Sequence, residues 1–358
     1  MPALQPYLKQ IAEQHRPLSR EEARAALLTI LTGAPGDVND FEIGALLSAM
    51  AARGETVDEL TGFAQAMRAL SLPIPISEEE RAALVDTCGT GGDGLGTFNI
   101  STGAALVATA AGAKVAKHGN RGITSKCGSA DVLEVMGVPV ALSPRQSVDC
   151  LRVTGFTFLY APALHPAMKR VQPVRRALGF RTIFNLAGPL TNPAGAPAQI
   201  MGVYSPAKLE VAAGAMAHLG IRFGRVVHAR NGIDEIALSP TDTIDVRAVS
   251  DHDAPRPIAA LISPEDVGLA PAPLDELQGG HTPQSNAAIL EAILNGAERG
   301  PKRDVVLLNA AAALDAVGIA ADLREGVARA AEAIDSGAAA RTLAALRDYG
   351  RSIAPANS

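Results

Sequence analysis

Two loops in the stretch 86–136 combine glycines, small hydroxyl residues and cations, which are the residue types that bind phosphate groups. The first loop, residues 89–102, reads GTGGDGLGTFNIST and contains five glycines. Glycines let backbone N–H groups turn inward and form a concave anion site. A helix beginning near Thr102 can also direct its positive end at the anion. A tight turn needs only one or two glycines, so the pattern favours an anion site, with further donors at Thr97, Asn99, Ser101 and Thr102.

The second loop, residues 117–129, reads KHGNRGITSKCGS and lies at the end of another apolar run. Cations beside hydroxyl donors suit a highly charged phosphate ester. A single lysine or arginine is usually a solvated surface charge. Lys117, Arg121 and Lys126 cluster at one predicted strand end, and this clustering favours a second anion site. His118 is the obvious candidate in this loop for a group that titrates near neutral pH, but we expect it to organise the loop instead.

Gly89, Gly91 and Gly94 also satisfy the GxGxxG pattern of dinucleotide-binding folds. That pattern requires its helix to start within the motif and an acidic residue about twenty positions later. Here the helix starts several residues late, and the next predicted strand ends in Lys117 and His118. A nicotinamide cofactor is therefore disfavoured.

Composition limits the classes of protein that remain. The chain has 358 residues, enough for two unequal parts, and its 47% hydrophobic and 19% charged residues indicate a compact globular protein. A net charge of −5 gives no sign of a basic surface that would bind nucleic acid, and with only 3% aromatic residues few side chains could stack on bases. Cys88, Cys127 and Cys150 show no zinc-site spacing, and their odd number argues against a disulfide framework.

No segment resembles a membrane span or a secretory signal. A membrane helix needs about 18 or more uninterrupted apolar residues, and no run approaches this length. The first twenty residues have no apolar core behind their charges. We therefore expect a soluble cytoplasmic protein that binds neither nucleic acid nor membranes.

Residues 1–76 are predicted to form helices alone. Capping boxes, in which a Ser or Thr and a Glu three residues later cap each other's backbone, indicate two helix starts. Glycines that are free to adopt positive φ are expected to end helices. The predicted helix starts are Ser19 with Glu22 and Thr56 with Glu59, and a further helix is predicted over 40–53. The predicted helix ends are Gly33, Gly54, and Pro73 with Pro75.

From residue 84 onward short β-rich runs alternate with helical ones, which predicts crossover connections and a mainly parallel sheet covered on both faces. Ligands of such sheets lie beyond the carboxyl ends of the strands, where both loops are expected. Residues 236–249 are expected to add antiparallel strands before a boundary near His252, residues 254–273 a surface excursion, and residues 320–351 two amphipathic helices. The predicted strands are 84–88, 114–117, 138–142, 156–160, 200–204, 226–229 and 305–308, and the predicted helices are 102–111, 129–136, 144–154, 165–179 and 206–219.

The motifs GTGGD, NIST, KHGNR and GSAD, in this order and at this spacing, resemble those of the anthranilate phosphoribosyltransferase family. The resemblance extends to residues 165–194 and 231–235 and to the helical N-terminus. It implies an α/β fold with a small all-helical domain, residues 1–76, joined by helices near 165–190, and a larger domain, residues 77–358, with a mainly parallel central sheet. It also implies a homodimer formed through the helical part.

The resemblance implies a site for phosphoribosyl pyrophosphate, anthranilate and Mg2+. Adjacent carboxylates after a strand are suitable hard-oxygen ligands for Mg2+. The residues implied for the donor substrate are Gly89, Gly92, Asp93, Thr97, Asn99, Ile100, Ser101, Thr102, Lys117 and Ser125, with Ser129 nearby. Those implied for Mg2+ are Ser101, Asp234 and Glu235, and those implied for anthranilate are Asn120 and Arg175. His118, Gly119 and Arg121 of the second loop are also expected to contact substrate.

Arg175 is implied to bind the anthranilate carboxylate, which a guanidinium can do through two hydrogen bonds. By position alone Arg176 would serve equally well. The implied reaction needs no catalytic triad and no strong base, because an aryl amine is already neutral near physiological pH. Positioning by Lys117, Asn120 and Arg175, together with electrostatic stabilisation, is expected to dominate.

Three departures from the family pattern affect the second loop and the segment before Asp234. Thr124 and Cys127 stand where serines are common, and residues 229–231 replace a more usual glycine and aspartate. Two other functions remain open. One is a pyrimidine nucleoside phosphorylase, against which KHGNR and the Asp234–Glu235 pair argue. The other is a non-catalytic relative that binds nucleotide or nucleic acid, for which the acidic composition is unsuited.

Overall fold

The computed structural model describes residues 3–34, 36–122, 127–247 and 256–354. Over these ranges a small helical domain precedes a larger α/β domain, as the sequence predicts. The helices before the sheet are α1 (Gln5–Ala12), α2 (Arg20–Thr32), α3 (Asp40–Arg53), α4 (Val57–Ala69) and α5 (Glu78–Ala82).

The α/β domain contains a sheet of seven strands within the described ranges, in the order β3-β2-β1-β4-β5-β6-β7. Its first five strands in this order are parallel, and β6 and β7 continue it antiparallel. Helices cover both faces, so the central strands are buried on both sides. The strands are β1 (Leu84–Asp86), β2 (Lys114–Gly119), β3 (Phe156–Tyr160), β4 (Ala198–Gly202), β5 (Phe223–Ala229), β6 (Thr241–Arg247) and β7 (Arg256–Ile262).

The remaining helices connect or flank these strands. They are α6 (Ile100–Ala110), α7 (Ser129–Val135), α8 (Pro144–Thr154), α9 (Ala161–Leu164), α10 (Gln172–Leu178), α11 (Ile183–Ala187), α12 (Leu209–His218), α13 (Pro283–Leu294), α14 (Pro301–Ala316), α15 (Leu323–Asp335) and α16 (Ala338–Ile353). Single turns of 3-10 helix cover Pro166–Arg170, Gly188–Thr191, Pro206–Lys208, Pro264–Val267 and Leu274–Leu277.

The predicted N-terminal helix signals are confirmed. The Ser19 hydroxyl accepts the Glu22 N–H while the Glu22 carboxylate accepts the Ser19 N–H, and Thr56 and Glu59 do the same at α4. Gly33 does end α2, but its φ is −60°, so the expected positive φ is wrong at this position. Gly54, which ends α3, has a φ of +93°.

Two predicted strands are wrong. Residues 138–142 form no strand: Val138, Val140 and Leu142 are buried in alternation, but Pro139 between them has no N–H to donate to a ladder. The run 305–308 lies inside α14, whose residues from 305 to 314 are all buried. A short apolar run does not distinguish a buried helix from a buried strand by periodicity.

The segment predicted as a surface excursion contains the edge strand β7, and the antiparallel strand expected within 236–249 is confirmed as β6. The boundary expected near His252 lies outside the described residues. The two C-terminal helices are confirmed as α15 and α16. The helix predicted over 165–179 is divided between a 3-10 turn and α10, with Pro166 and Pro173 in their first turns.

The segment containing α10 and α11 packs against the N-terminal helices. Val174 and Phe184 belong to the same buried cluster as Leu46 of α3 and Phe63 of α4, and the rings of Phe63 and Phe184 lie 5.6 Å apart. This packing places Arg175 of α10 beside the helical domain. Among the described residues no helix is long and apolar enough to cross a membrane.

Candidate active site

A cleft of about 770 Å³ opens at the carboxyl ends of the parallel strands. Both loops line it, as expected for a sheet of this type. Ser125, together with Thr124 and Lys126, lies outside the described residues. Every other predicted site residue lines the cleft: Gly89, Gly92, Asp93, Thr97, Asn99, Ile100, Ser101, Thr102, Lys117, His118, Gly119, Asn120, Arg121, Ser129, Arg175, Asp234 and Glu235.

The first loop lacks partners for some of its buried polar atoms. Gly91 and Gly94 have φ of +61° and +78°, so the loop depends on glycine at these turns. Helix α6 begins at Ile100, two residues earlier than predicted, and Asn99 at its start makes no capping hydrogen bond. The Oδ1 of Asn99 and the Oγ1 of Thr102 are buried without a hydrogen-bond partner in the described part of the chain. Buried polar atoms are normally paired, so a ligand is the natural partner for these two.

Lys117 joins the two loops. Its side chain is buried at the end of β2, and Nζ donates to the Thr87 carbonyl at 2.9 Å and to the hydroxyls of Thr87 and Ser101 at 3.0 and 3.3 Å. The Ser101 N–H in turn donates to Glu235 Oε1 at 3.2 Å. A buried ammonium, a hydroxyl and a carboxylate therefore form one connected polar chain across the floor of the cleft.

Residues 230–236, which follow β5 and are called the acidic loop here, bring Asp234 and Glu235 to the cleft. The Asp234 N–H donates to Asp93 Oδ2 at 3.4 Å. Burial, and then the charges of Glu235 and Asp93, raises the pKa of Asp234 well above its ordinary value. Burial also raises the pKa of Glu235, to about 7, although Lys117 opposes the shift. Buried carboxylates with too little positive charge around them fit a cation site.

This donor set fits Mg2+. The Ser101 hydroxyl and the two carboxylates are hard oxygen ligands, and Mg2+ characteristically keeps waters and bridges to substrate phosphates. Over the described ranges no three His, Cys, Asp or Glu side chains form a metal-holding group. Two carboxylates and one hydroxyl therefore need further ligands, which substrate oxygens and water can supply.

Mg2+ affinity is expected to rise with pH through about 7. Protons compete with the metal for carboxylates whose pKa is raised in the metal-free protein, so binding releases protons below that pKa and none far above it. Between pH 6 and 7 the dissociation constant should fall by about tenfold for each proton displaced. Calorimetric Mg2+ titrations from pH 6 to 8.5, in two buffers of different ionisation enthalpy, measure the dissociation constant and the number of protons released. An affinity that is constant over this range would contradict the assignment.

Arg175 and Arg176 occupy different environments, a distinction that the sequence left open. Arg176 is exposed, whereas Arg175 is half-buried, lines the cleft and lies over the Phe184 ring at 5.2 Å. Burial lowers the pKa of Arg175. Within the described ranges its guanidinium has no carboxylate or carbonyl acceptor. It is therefore a desolvated cation available to a ligand anion.

Arg121 differs from the expectation of a cation available to phosphate. Its guanidinium pairs with Asp131 at 3.0 Å and with Glu134 at 2.6 Å, both on α7. Asp131 also accepts the N–H groups of Gly122 and Gly128, each at 2.9 Å. Arg121 lines the cleft, but its charge is neutralised, and the side chain ties the second loop to α7.

His118 lies on β2 rather than in a loop, and it has a partner that the sequence reasoning missed. Its ring centroid is 5.1 Å from that of His165, and both side chains are buried. Burial lowers the pKa of His118 well below its ordinary value and that of His165 to about 4. Both imidazoles are therefore neutral at physiological pH, which is consistent with the expectation that His118 has an organising role.

The sequence reasoning also missed residues 278–286. The Gly279 N–H donates to the Gly96 carbonyl at 2.9 Å, and Gln278 Nε2 donates to the Leu95 carbonyl at 3.0 Å, so this segment supports the first loop from outside the sheet. A Cβ on Gly279 would lie 2.8 Å from both the Phe98 nitrogen and Asn286 Oδ1. The paired glycines after Gln278 were the available signal, since adjacent glycines often mark a close backbone approach.

Known proteins resemble this chain over nearly its whole length. Residues 81–340 match the α/β domain of a glycosyl transferase family, and residues 5–71 match its helical bundle domain. Anthranilate phosphoribosyltransferase of Solibacter usitatus is 49% identical over 98% of this chain and 99% of its own length. The enzyme of the same name from Symbiobacterium thermophilum is 49% identical over 96% of each chain.

Solved structures agree with these matches. The crystal structure of anthranilate phosphoribosyltransferase from Thermus thermophilus has a TM-score of 0.86 and 42% identity, covering 96% of this chain and 99% of its own. The Saccharomyces cerevisiae enzyme, solved in complex with phosphoribosyl pyrophosphate and Mg, has a TM-score of 0.87 and 28% identity over 98% of each chain.

Proposed function

The chain belongs to the anthranilate phosphoribosyltransferase family, and from that premise we propose how its cleft carries out the reaction. The enzyme transfers the phosphoribosyl group of 5-phosphoribosyl 1-pyrophosphate to the amine of anthranilate, in tryptophan biosynthesis, and releases pyrophosphate. Mg2+ is its cofactor. The observation that carries the assignment is that one cleft holds a donor-rich glycine loop, a buried carboxylate pair and a desolvated arginine.

The first loop binds the pyrophosphate of the donor substrate. Backbone N–H groups near Gly92 and the unpaired Thr102 hydroxyl supply neutral donors, whereas the unpaired Asn99 Oδ1 is an acceptor for a hydroxyl of the same substrate. Lys117 and Ser125 on the second loop, with Ser129 nearby, bind the phosphate groups and ribose of the same substrate. Because Lys117 already donates to Ser101, its charge is held in place before the substrate arrives. Such preorganised charge stabilises a leaving group more effectively than mobile water does.

Ser101, Asp234 and Glu235 would hold Mg2+, which when bound would supply charge that neutralises the pyrophosphate. Asp93 accepts the Asp234 N–H, and the Ser101 N–H orients Glu235, so the residues around the metal are connected through the first loop. Binding of the donor substrate to that loop is thereby coupled to the arrangement of the carboxylates.

The acceptor binds between Arg175 and Asn120, with its amine toward the anomeric carbon of the ribose. The C–O bond to pyrophosphate breaks, the nitrogen lone pair forms the new C–N bond, and the nitrogen then loses its proton to water. An aryl amine is neutral near pH 7, so the chain needs no strong base. The depressed pKa values of His118 and His165 agree with this, since neither residue is tuned to accept a proton near pH 7.

Turnover is measured by the loss of anthranilate fluorescence on mixing with phosphoribosyl pyrophosphate and Mg2+. We expect a Mg2+-dependent decrease, and no phosphorolysis of thymidine or uridine. Folded protein that consumes no anthranilate would refute the assignment.

Replacing Arg175 by alanine should raise the KM for anthranilate and lower kcat/KM by about tenfold to a hundredfold, because a charge-assisted hydrogen bond contributes about 1.5–3 kcal/mol. The KM for phosphoribosyl pyrophosphate should change little. Arg176→Ala is the matched control, since it removes the same side chain one residue away outside the cleft, and it should retain wild-type kinetics. Equal losses in the two variants would contradict the role assigned to Arg175.

The assembly, domain boundary and location belong to the same proposal. Phe41 on α3 is 90% exposed, and a homodimer formed through the helical domain would remove this side chain from water. The helical domain comprises residues 1–76 with the helices near 165–190, and residues 77–358 form the substrate-binding domain. The enzyme acts in the cytoplasm. Sedimentation of the wild type and of Phe41→Ser tests the dimer, because a monomeric wild-type protein would refute it.

A further inference from the structure

Asn309 lies on α14, outside the cleft lining, and is 3% exposed. Its Nδ2 donates to the Ile236 carbonyl at 2.7 Å, and its Oδ1 accepts the Ile236 N–H at 3.1 Å. Nδ2 also donates to the Val305 carbonyl one turn earlier in α14, at 2.8 Å. One side-chain amide therefore satisfies both backbone polar groups of a single residue in another element, as a neighbouring β-strand would.

The residue held in this way follows Glu235 directly. Ile236 is fully buried, so its N–H and carbonyl need protein partners, and Asn309 supplies both. Asp234 and Glu235 also have contacts with the first loop: the Ser101 N–H donates to the Glu235 carboxylate, and the Asp93 carboxylate accepts the backbone N–H of Asp234. Ser101 and Asp93, however, lie on the glycine loop that binds substrate. Asn309 belongs to a long buried helix, so its hydrogen bonds to the acidic loop do not depend on the conformation of the glycine loop.

We propose that Asn309 is a positioning residue that fixes the acidic loop against α14, so that Asp234 and Glu235 are in place before Mg2+ binds. This inference rests on the proposed function. Groups that orient metal ligands without touching the metal commonly change metal affinity by about 10–100-fold when they are replaced. Such groups restrict the conformations of the metal ligands before binding, so less free energy is lost in ordering the ligands when the metal binds.

The test compares the wild type with Asn309→Leu, which is close in volume and removes all three hydrogen bonds. Mn2+ binding to the substrate-free protein, followed by electron paramagnetic resonance, should weaken by about 10–100-fold. Amide hydrogen exchange at Ile236 in the metal-free protein should accelerate. Excess Mg2+ should restore most of kcat, while the KM for anthranilate stays within about twofold.

Leu314→Ala is the matched control, since Leu314 is buried on the same helix more than one turn farther along. It should lower the melting temperature without moving Mn2+ affinity or Ile236 exchange. The proposal is overturned if Asn309→Leu binds Mn2+ as the wild type does, or if Leu314→Ala weakens Mn2+ binding to the same extent. Failure of the proposed function would instead appear as a folded wild type that binds Mn2+ but consumes no anthranilate.

Discussion

Asp234→Asn is expected to lower kcat/KM by about a hundredfold to ten-thousandfold, because several kcal/mol of transition-state charge stabilisation depend on the metal. The same substitution should stabilise the metal-free protein. Burial and two neighbouring carboxylates raise the pKa of Asp234, so its ionised form is disfavoured in the folded state. That destabilisation grows as pH rises above the ordinary Asp value toward the folded pKa. An asparagine has no charge to bury, and its amide can donate to Asp93.

The measurement is thermal unfolding at pH 8 in the presence of a chelator, beside steady-state kinetics. The melting temperature of Asp234→Asn should rise by about 2–6 °C. Asp58→Asn is the matched control: it makes the same change on α4, where Asp58 pairs with Arg20 at 2.9 Å outside the cleft and away from the acidic loop. It should keep full activity and gain no stability. A less stable Asp234→Asn protein would show that this carboxylate is not strained in the metal-free state.

Gly202→Ala is expected to lower kcat/KM by at least about a hundredfold through the shape of the acidic loop. A Cβ on Gly202, the last residue of β4, would lie 1.5 Å from the Asp234 carbonyl oxygen. Because the Cβ and the carbonyl oxygen are both attached directly to the backbone, no side-chain rotation can relieve this collision. The Gly202 carbonyl also accepts the Thr90 N–H at 2.8 Å, so movement of β4 would disturb the first loop as well. Forcing extra atoms into a packed site typically costs about 1–3 kcal/mol.

Gly188→Ala is the control for this prediction. Gly188 also lines the cleft, but its φ of −50° is helical and nothing lies within 4 Å of an added Cβ. It should retain wild-type kinetics and stability. Kinetics, melting temperature and Mn2+ affinity are measured for both variants, and a Gly202→Ala protein with wild-type Mn2+ affinity would contradict the steric argument.

Local signals in the sequence determined much of the fold. The capping boxes at Ser19 and Thr56 depend on residues three positions apart, and the structure confirms both. The glycine-rich first loop and the alternation of strands and helices were also local, and they were enough to predict a parallel sheet with ligands at its carboxyl ends. Motif order then identified the family, because several long motifs rarely occur together by chance.

Sequence reasoning failed where burial rather than local pattern decided the outcome. The run 305–308 is equally apolar as strand or helix, and only its packing against the sheet makes it part of α14. Arg175 and Arg176 are chemically identical neighbours, distinguished by which one faces the cleft. Arg121 and Lys117 are both cations of one motif, yet only tertiary contacts show that α7 carboxylates neutralise Arg121 while Lys117 reaches Ser101.

The sequence by itself therefore determined which chemical groups the protein has and the order in which strands and helices present them. Tertiary structure decided which of those groups are desolvated, which are already paired and which distant residues hold them in position. His165 beside His118, Gly202 beneath Asp234 and Asn309 against Ile236 are all separated by more than thirty residues along the chain. The physical reason is that pairing and desolvation depend on distances in space, which residue spacing along the chain does not specify.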